Sequence, residues 1–239
     1  MTTEKSPHFF YSILYAAFIC SLVACSSRRT APLPAPDIQP ILNEQSMVKV
    51  NHAMGFDIMP HPGYSLIHFF RHFDEETDTI TYLVKRKDQS DQIPPFDFPV
   101  IETPVQNIAL LHSTYIGFFE FCESLSAIKA ISESEYLYHD KTLAKIKEGS
   151  IPEIGHSENL DMEELIALGP DLVITVGFPN SPNKNKELLE SLGYPVLVFS
   201  EWQESKLLGR MEWVKILGLL LEKYSLVNEK FNAIEKKYL

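Results

Sequence analysis

Residues 161–176 read DMEELIALGPDLVITV, and this stretch decides the fold class. Asp161 is a suitable N-cap for a helical stretch over residues 161–168, and Glu164, three residues later, completes a capping box. Residues 172–176 form a short apolar run of strand length. A helix that leads directly into a strand is one unit of an α/β fold.

The same alternation continues on both sides of this unit. Short apolar runs predict strands at residues 108–111, 127–131, 151–154 (weakly), 172–176 and 196–199. Helical spacing predicts helices at residues 115–126, 141–147 and 183–192. We therefore expect an α/β domain with a parallel sheet and right-handed crossovers. Residues 207–221 are apolar at most positions, and Val227, Phe231, Ile234 and Tyr238 form one stripe of a further helix.

Composition excludes several functional classes. The 239 residues carry 21 Lys and Arg against 32 Asp and Glu, a net charge of −11, which argues against a general nucleic-acid binder. No CxxC, GxxxxGK, GxSxG or HExxH motif occurs, so the common motif-bearing enzyme classes have no support. His68 and His72 have a spacing that suits a metal on a helix, but their segment is predicted as strand, where they lie about 13 Å apart. We predict no metal and no cofactor.

The N-terminus has the pattern of a targeting signal. Residues 9–23 are apolar and uncharged, shorter than the roughly 20 residues of a membrane span but typical of a signal-peptide core. The following Ala24-Cys25 resembles a bacterial lipobox, which implies a signal peptide at 1–24, lipidation of Cys25 and anchoring to a membrane. A plain anchor helix is the alternative. Residues 25–46 are a Pro-rich tether, and Cys122 is expected to be a buried small apolar residue.

Residues 47–100 form a separate segment in this interpretation. The β-branched and aromatic run at 79–84 predicts a strand, and residues 64–70 are its plausible partner across the acidic turn at 74–78. The segment is thus a β-hairpin or meander that ends in a Pro-rich connector at 93–99. The α/β domain would then occupy 101–204, and further helices 205–239.

A family resemblance rests on several stretches taken together. They are STYI at 113–116, Gly155, MEELIALGPDLVI at 162–174, LGYPV at 192–196, and EWQES at 201–205 with GRMEW at 209–213. In this order they resemble the substrate-binding lipoproteins of ABC importers for ferric siderophores, haem and cobalamin, especially a Bacteroidetes-type subset with an N-terminal β-hairpin. The resemblance implies two α/β lobes joined by a long helix, with the ligand in the cleft between them.

The resemblance also implies that 101–204 is the N-lobe and 205–239 the start of the interlobe helices, with the C-lobe missing. It implies an envelope protein that faces the periplasm and delivers an iron-siderophore, haem or corrinoid to an ABC permease and its ATPase, without catalysing a reaction. One alternative is a truncated lipoprotein with an interaction role and no ligand. The other, least favoured, is an enzyme such as a metal chelatase on a related scaffold.

Candidate ligand contacts lie where predicted strands end, because ligands of open α/β sheets bind at the carboxyl ends of the strands. They are Ser113, Thr114, Tyr115, Gly155, His156, Gly177 and Phe178, together with the aromatic residues Tyr136, Tyr138 and Trp202, which could stack on a flat ring. Ser113 could instead be only an N-cap, and the aromatic residues could pack on the sheet. Tyr115 stands where close relatives are expected to have His or a small polar residue. His112 or His156 could contact a haem.

Glu163 matches the acidic residue that faces the permease in the family, so it is our candidate docking residue. The alternative is an acid that the helix dipole favours. Five further residues are expected to be mainly hinge or structural residues: Glu201, Trp202, Arg210, Glu212 and Trp213.

Overall fold

The computed structural model describes residues 48–73, 76–88, 97–156, 159–177 and 184–239. The predicted signal peptide, Cys25, the tether and Phe178 lie outside these residues. The strands are β1 (Phe56–His61), β2 (Tyr64–Phe73), β3 (Glu76–Arg86), β4 (Val100–Thr103), β5 (Ile108–Leu110), β6 (Ile128–Ile131), β7 (Gly155–His156), β8 (Asn159–Leu160), β9 (Leu172–Val176) and β10 (Val196–Phe199). The helices are α1 (Ile116–Phe121), α2 (Asp140–Lys147), α3 (Met162–Leu168), α4 (Lys184–Ser191), α5 (Leu207–Glu212), α6 (Val214–Leu220) and α7 (Tyr224–Tyr238).

The first sheet contains β1–β4 in that order. β2 pairs antiparallel with β1 and with β3, and β4 pairs parallel with β3. His68 lies in β2, where its Nδ1 is 2.9 Å from Thr81 Oγ1 of β3. Because β4 reaches Thr103, the first sheet extends past the boundary at residue 100 that the sequence suggested.

The second sheet is parallel throughout, in the order β10-β9-β5-β6. This confirms the predicted α/β layer, and β9 and β10 have the predicted bounds. The weak strand predicted at 151–154 is wrong: the segment makes one isolated parallel bridge, between Ile131 and Glu153. Pro152 has no N–H to donate to a strand ladder, which is a physical reason for the short pairing.

The strand order determines where a ligand would sit. The chain runs from β5 outward to β6 and then crosses to β9 on the other side of β5. The order therefore reverses between β5 and β9, and ligands of such sheets bind outside the carboxyl ends of the strands near this switch point. The loops that begin at Leu111, Ser132, Gly177 and Ser200 all leave from this edge.

The apolar segment at 207–221 is not one helix. It forms α5 and α6, which meet at Trp213, and α7 follows after a turn in which Glu222 has a positive φ of 54°. Every residue of α6 is buried, as expected for a helix that runs inside a core rather than along its surface. α7 packs back onto α6, with Val227 against Gly218. Helices thus occupy much of 205–239, as predicted, and their role as the start of an interlobe connection stays a prediction.

Both sheets share one apolar core with α6 and α7. The ring of Trp213 packs against Phe56 and Phe69 from the first sheet and Phe199 from the second, with centroid distances of 5.1–5.4 Å. The Tyr82 hydroxyl of β3 donates to the Val196 carbonyl of β10 at 2.7 Å. The N-terminal sheet is thus part of the same folded body as the α/β domain.

Candidate ligand-binding groove

A groove lies at the carboxyl edge of the parallel sheet, between the loop after β5 and the loop after β6, on the opposite side of β5 from the switch point between β5 and β9. It has a volume of about 260 Å³. Sites that enclose a drug-sized ligand measure about 300–1,000 Å³, so this groove can hold one edge of such a ligand. Its lining residues are Ser113, Thr114, Ile116, Gly117, Tyr136, Leu137, Tyr138 and His139.

The groove brings together four of the predicted ligand contacts. Ser113 and Thr114 come from the 3-10 turn after β5, and Tyr136 and Tyr138 come from the loop after β6. Ser113 is not an N-cap, because His112 occupies that position of the turn and makes no side-chain capping bond. The two tyrosines are 65% and 91% exposed, so they do not pack on the sheet. Exposed aromatic rings beside hydroxyl groups can stack on a flat ligand and hydrogen-bond to it.

His139 fixes one end of the groove. Its Nδ1 accepts a hydrogen bond from the Thr142 N–H at 3.3 Å and so caps α2. Its Nε2 lies 3.1 Å from Glu120 Oε2 of α1. The hydrogen bond from His139 is the main cause that holds the pKa of Glu120 below its ordinary value. The imidazole thereby joins the two helices that border the groove.

Gly155 and His156 lie beside the groove but do not line it. The Gly155 carbonyl accepts a hydrogen bond from the Glu133 N–H at 3.2 Å, and His156 Nδ1 lies 3.2 Å from Glu135 Oε1. Gly155 has a positive φ of 77°, and a Cβ there would lie 2.7 Å from the Asn159 carbonyl oxygen. Glycine is therefore required at this turn for steric reasons.

Gly177 and Trp202 form a second pair, at the ends of β9 and β10. The indole Nε1–H of Trp202 donates to the Gly177 carbonyl at 3.0 Å. A Cβ at Gly177 would lie 2.7 Å from Val198 Cγ1, which explains the glycine by packing. These two residues share the carboxyl edge with the groove without lining it. Phe178 follows them outside the described residues.

Tyr115 was expected to contact the ligand, but it does not line the groove. The side chain is buried and packs edge-on against Phe199, with ring centroids 5.1 Å apart. Burial, and secondarily the nearby Glu201 carboxyl, raise the pKa of the Tyr115 hydroxyl far above its usual value. Burial also raises the pKa of Glu201. The Tyr115 ring thus belongs to the core beneath the edge.

Glu163 is exposed in the first turn of α3. The predicted N-cap is confirmed, since Asp161 Oδ1 accepts from the Glu164 N–H at 3.0 Å. The reciprocal half of the capping box is wrong, because the Asp161 N–H donates to the Ile154 carbonyl instead. The position leaves the Glu163 carboxylate facing solvent.

Sequence reasoning missed a pair of buried carboxylates that hold residues 51–55. Glu212 accepts hydrogen bonds from the N–H groups of residues 51, 52 and 53 and from Lys215 Nζ. Glu204 accepts from the N–H groups of residues 54 and 55 and from Trp213 Nε1. We call Glu204 and Glu212 the carboxylate clamp. The only sequence signal for the carboxylate clamp was the presence of acidic residues in an otherwise apolar stretch. The role of the clamp is structural, as expected for Glu212 and Trp213.

The described residues contain no group of three or more His, Cys, Asp or Glu side chains that could hold a metal ion. None of their helices combines the length and the apolar character that crossing a membrane requires. Cys122 is buried with a free thiol, and burial raises its pKa to about 12.

The model of the periplasmic binding protein family matches residues 108–239, more than half of the chain. The chain therefore belongs to the periplasmic binding protein family. This confirms the resemblance to substrate-binding proteins; the Bacteroidetes-type subset and the missing C-lobe stay predictions.

Individual relatives are distant. An uncharacterized lipoprotein of Methanocaldococcus jannaschii is 26% identical over 168 residues, which cover 64% of this chain and 40% of the relative. An Fe³⁺-hydroxamate transport protein of Saccharomonospora viridis has a TM-score of 0.42 at 24% identity, covering 56% of this chain and 48% of that one. A periplasmic heme-binding protein of Pseudomonas aeruginosa has a TM-score of 0.44 at 19% identity, with 55% and 44% covered. The chain thus spans less than half the length of these three proteins.

Proposed function

We propose that the protein is the solute-binding component of an ABC importer, and that it captures an iron-siderophore, haem or corrinoid for an inner-membrane permease. The observation that carries the proposal is the groove, where two exposed tyrosines and two hydroxyl residues meet at the carboxyl edge of a parallel sheet. Membership of the periplasmic binding protein family supports it. In this function the protein binds and releases its ligand without catalysing a reaction.

The location that we propose follows from the N-terminal sequence. Lipid on Cys25 would anchor the chain to a membrane of the cell envelope, and the Pro-rich residues 25–46 would hold the folded part in the periplasm. The lipoprotein relative in M. jannaschii supports this arrangement. The partners that we propose are therefore the permease, its ATPase, the ligand and the lipid surface.

The first prediction tests the groove. We expect Tyr138→Ala to weaken ligand binding about tenfold, because it removes stacking and contact area worth roughly 1.4 kcal/mol. Gly117→Phe should also weaken binding, since a Cβ at Gly117 meets open space and a larger side chain would fill the groove. The measurement is calorimetric titration of the full chain in non-ionic detergent with cyanocobalamin, haem and a ferric trihydroxamate.

The matched control is Tyr238→Ala, which removes an exposed tyrosine side chain from helix α7, outside the groove. It should leave the dissociation constant within twofold of the unsubstituted protein. Equal weakening by Tyr138→Ala and Tyr238→Ala would remove the groove from the binding site. Absence of saturable binding by every probe would contradict the proposed function.

The second prediction concerns docking. We propose that the exposed Glu163 carboxylate pairs with cationic groups of the permease, so Glu163→Arg should lower uptake about tenfold through charge repulsion. Ligand affinity of the isolated protein should not change, because Glu163 does not line the groove. Uptake of the chelate that binds in the titration would be measured in cells that produce each variant.

Glu187→Arg is the control for this experiment. Glu187 is also an exposed acid in the first turn of a helix, so both variants lose the same favourable interaction with a helix dipole. Uptake should stay normal with Glu187→Arg. Normal uptake with Glu163→Arg would remove Glu163 from the docking surface.

A further inference from the structure

No Lys or Arg side chain is among the eight residues that line the groove. His139 is its one basic side chain, and Nδ1 of that imidazole accepts a hydrogen bond from the Thr142 N–H. Nε2 of the same ring lies 3.1 Å from Glu120 Oε2. Both ring nitrogens thus have partners within the protein, and the main polar groups available to a ligand are the hydroxyls of the lining residues.

Three carboxylates lie next to this lining, and we call Glu120, Glu133 and Glu135 the acidic rim. Each contacts a histidine in or beside the groove: Glu120 with His139 at 3.1 Å, Glu133 with His112 at 3.4 Å and Glu135 with His156 at 3.2 Å. Lys141 also acts on Glu120, but more weakly than His139 does.

We propose that the acidic rim makes the groove selective for metal chelates and macrocycles that carry no net negative charge. This inference rests on the proposed function and narrows its ligand class. An anionic ligand in the groove would lose hydration, would meet the carboxylates of the acidic rim and would find no Lys or Arg in the lining to pair with. An uncharged ligand loses little by the same transfer, and the tyrosine rings and hydroxyls can hold it.

Two ferric complexes with the same kind of coordination but different net charge test the effect of ligand charge. Three singly charged hydroxamates neutralise ferric iron, whereas three doubly charged catecholates leave a complex with three negative charges. Both are hexadentate oxygen complexes of the same metal. Cyanocobalamin, an uncharged macrocycle, is the third probe. Comparison of its binding with that of the tris-hydroxamate shows whether the uncharged ligand is a corrinoid or a siderophore.

The experiment is calorimetric titration of the full chain in non-ionic detergent with each of the three probes, at about 0.05 M and about 1 M NaCl. We expect at least one uncharged probe to bind at least tenfold more tightly than the ferric tris-catecholate at low salt. The gap should shrink at high salt, because the Debye length falls from more than 10 Å to about 3 Å. Tighter or equal binding of the tris-catecholate would overturn the charge selectivity and leave the proposed function standing.

A charge-neutralised variant tests the rim itself. Glu120 and Glu135 are both partly exposed, and the double change Glu120→Gln with Glu135→Gln removes both charges while it keeps side-chain size and one acceptor oxygen at each position. We expect it to tighten tris-catecholate binding at least fivefold and to leave the affinity for the uncharged probe within twofold.

Glu229→Gln is the control, because Glu229 is an exposed acid on α7 outside the groove. It should leave the affinities for all probes unchanged. Equal tightening by Glu229→Gln would assign the selectivity to net charge and overturn the role of the rim. Failure of all three probes to bind would overturn this inference, and failure of haem as well would overturn the proposed function.

Discussion

Replacement of Glu212 by Gln is expected to lower the free energy of unfolding by about 3–5 kcal/mol at pH 7. The Glu212 carboxylate is fully buried and accepts hydrogen bonds from three backbone N–H groups and from the buried Lys215 ammonium at 2.7 Å. A neutral amide at this position could not accept all of these bonds and would leave the Lys215 charge without a counter-ion. Urea unfolding of the full chain, followed by far-ultraviolet circular dichroism, measures the loss.

The pH dependence of this effect has a definite sign. Burial opposes ionisation of Glu212, but Lys215 and the N–H groups outweigh it and hold the pKa of the carboxyl below its usual value. A carboxyl whose folded-state pKa is lowered stabilises the protein above the unfolded-state pKa and loses that contribution as the pH falls through the folded-state pKa. The unsubstituted protein and the Glu212→Gln variant should therefore differ less in their free energies of unfolding as the pH is lowered below about 4.

Glu123→Gln provides the comparison. Glu123 pairs with Lys230 at 2.6 Å, but this ion pair is at the surface, where solvent screens it. Its loss should lower the free energy of unfolding far less than the loss of the Glu212 carboxylate does. Similar small losses for both variants would contradict the importance of the carboxylate clamp.

Replacement of Trp213 by Ala is expected to cost about 3–5 kcal/mol of stability. The Trp213 side chain is 1% exposed and touches aromatic rings of both sheets. Alanine would leave a cavity at the place where the first sheet, the second sheet and α6 meet. Trp213→Phe should restore part of the loss, since it keeps an aromatic ring but loses the hydrogen bond to Glu204.

Trp202→Ala is the matched control, because the chain has two tryptophans and Trp202 is 37% exposed. This change removes one hydrogen bond to Gly177 and should cost about 1 kcal/mol. Circular dichroism is the suitable signal, because each variant removes one of the two fluorescent tryptophans. A loss from Trp213→Ala no larger than that from Trp202→Ala would show that the two sheets do not depend on a shared core.

Local sequence patterns predicted those strands and helices that a few neighbouring residues determine. β9 and β10 have the predicted bounds because each is a continuous apolar run between turn residues. α2 and α3 begin within one residue of their predicted starts, and Asp161 caps α3 through its own side chain. The segment at 207–221 was harder, because an apolar run without polar interruptions gives no signal for the break at Trp213.

The candidate site was predicted in parts. Polar and aromatic residues after predicted strands identified Ser113, Thr114, Tyr136 and Tyr138, and adjacency of β5 and β6 brings these four residues to one groove. Tyr115 differs from its neighbour Thr114 because the 3-10 turn directs successive side chains to different sides, one outward and one into the core. No sequence pattern shows which of Thr114 and Tyr115 faces outward and which enters the core.

The sequence by itself determined the α/β alternation and the residue types at the strand ends, because hydrophobic period and turn chemistry act over a few residues. The family resemblance rested on particular sequence stretches and their order. The tertiary structure decided the strand order, the union of the two sheets in one core, the acidic rim and the carboxylate clamp. The clamp joins residues 149–161 positions apart in the chain. Contacts of that range depend on how the whole chain packs, and local propensity carries no information about them.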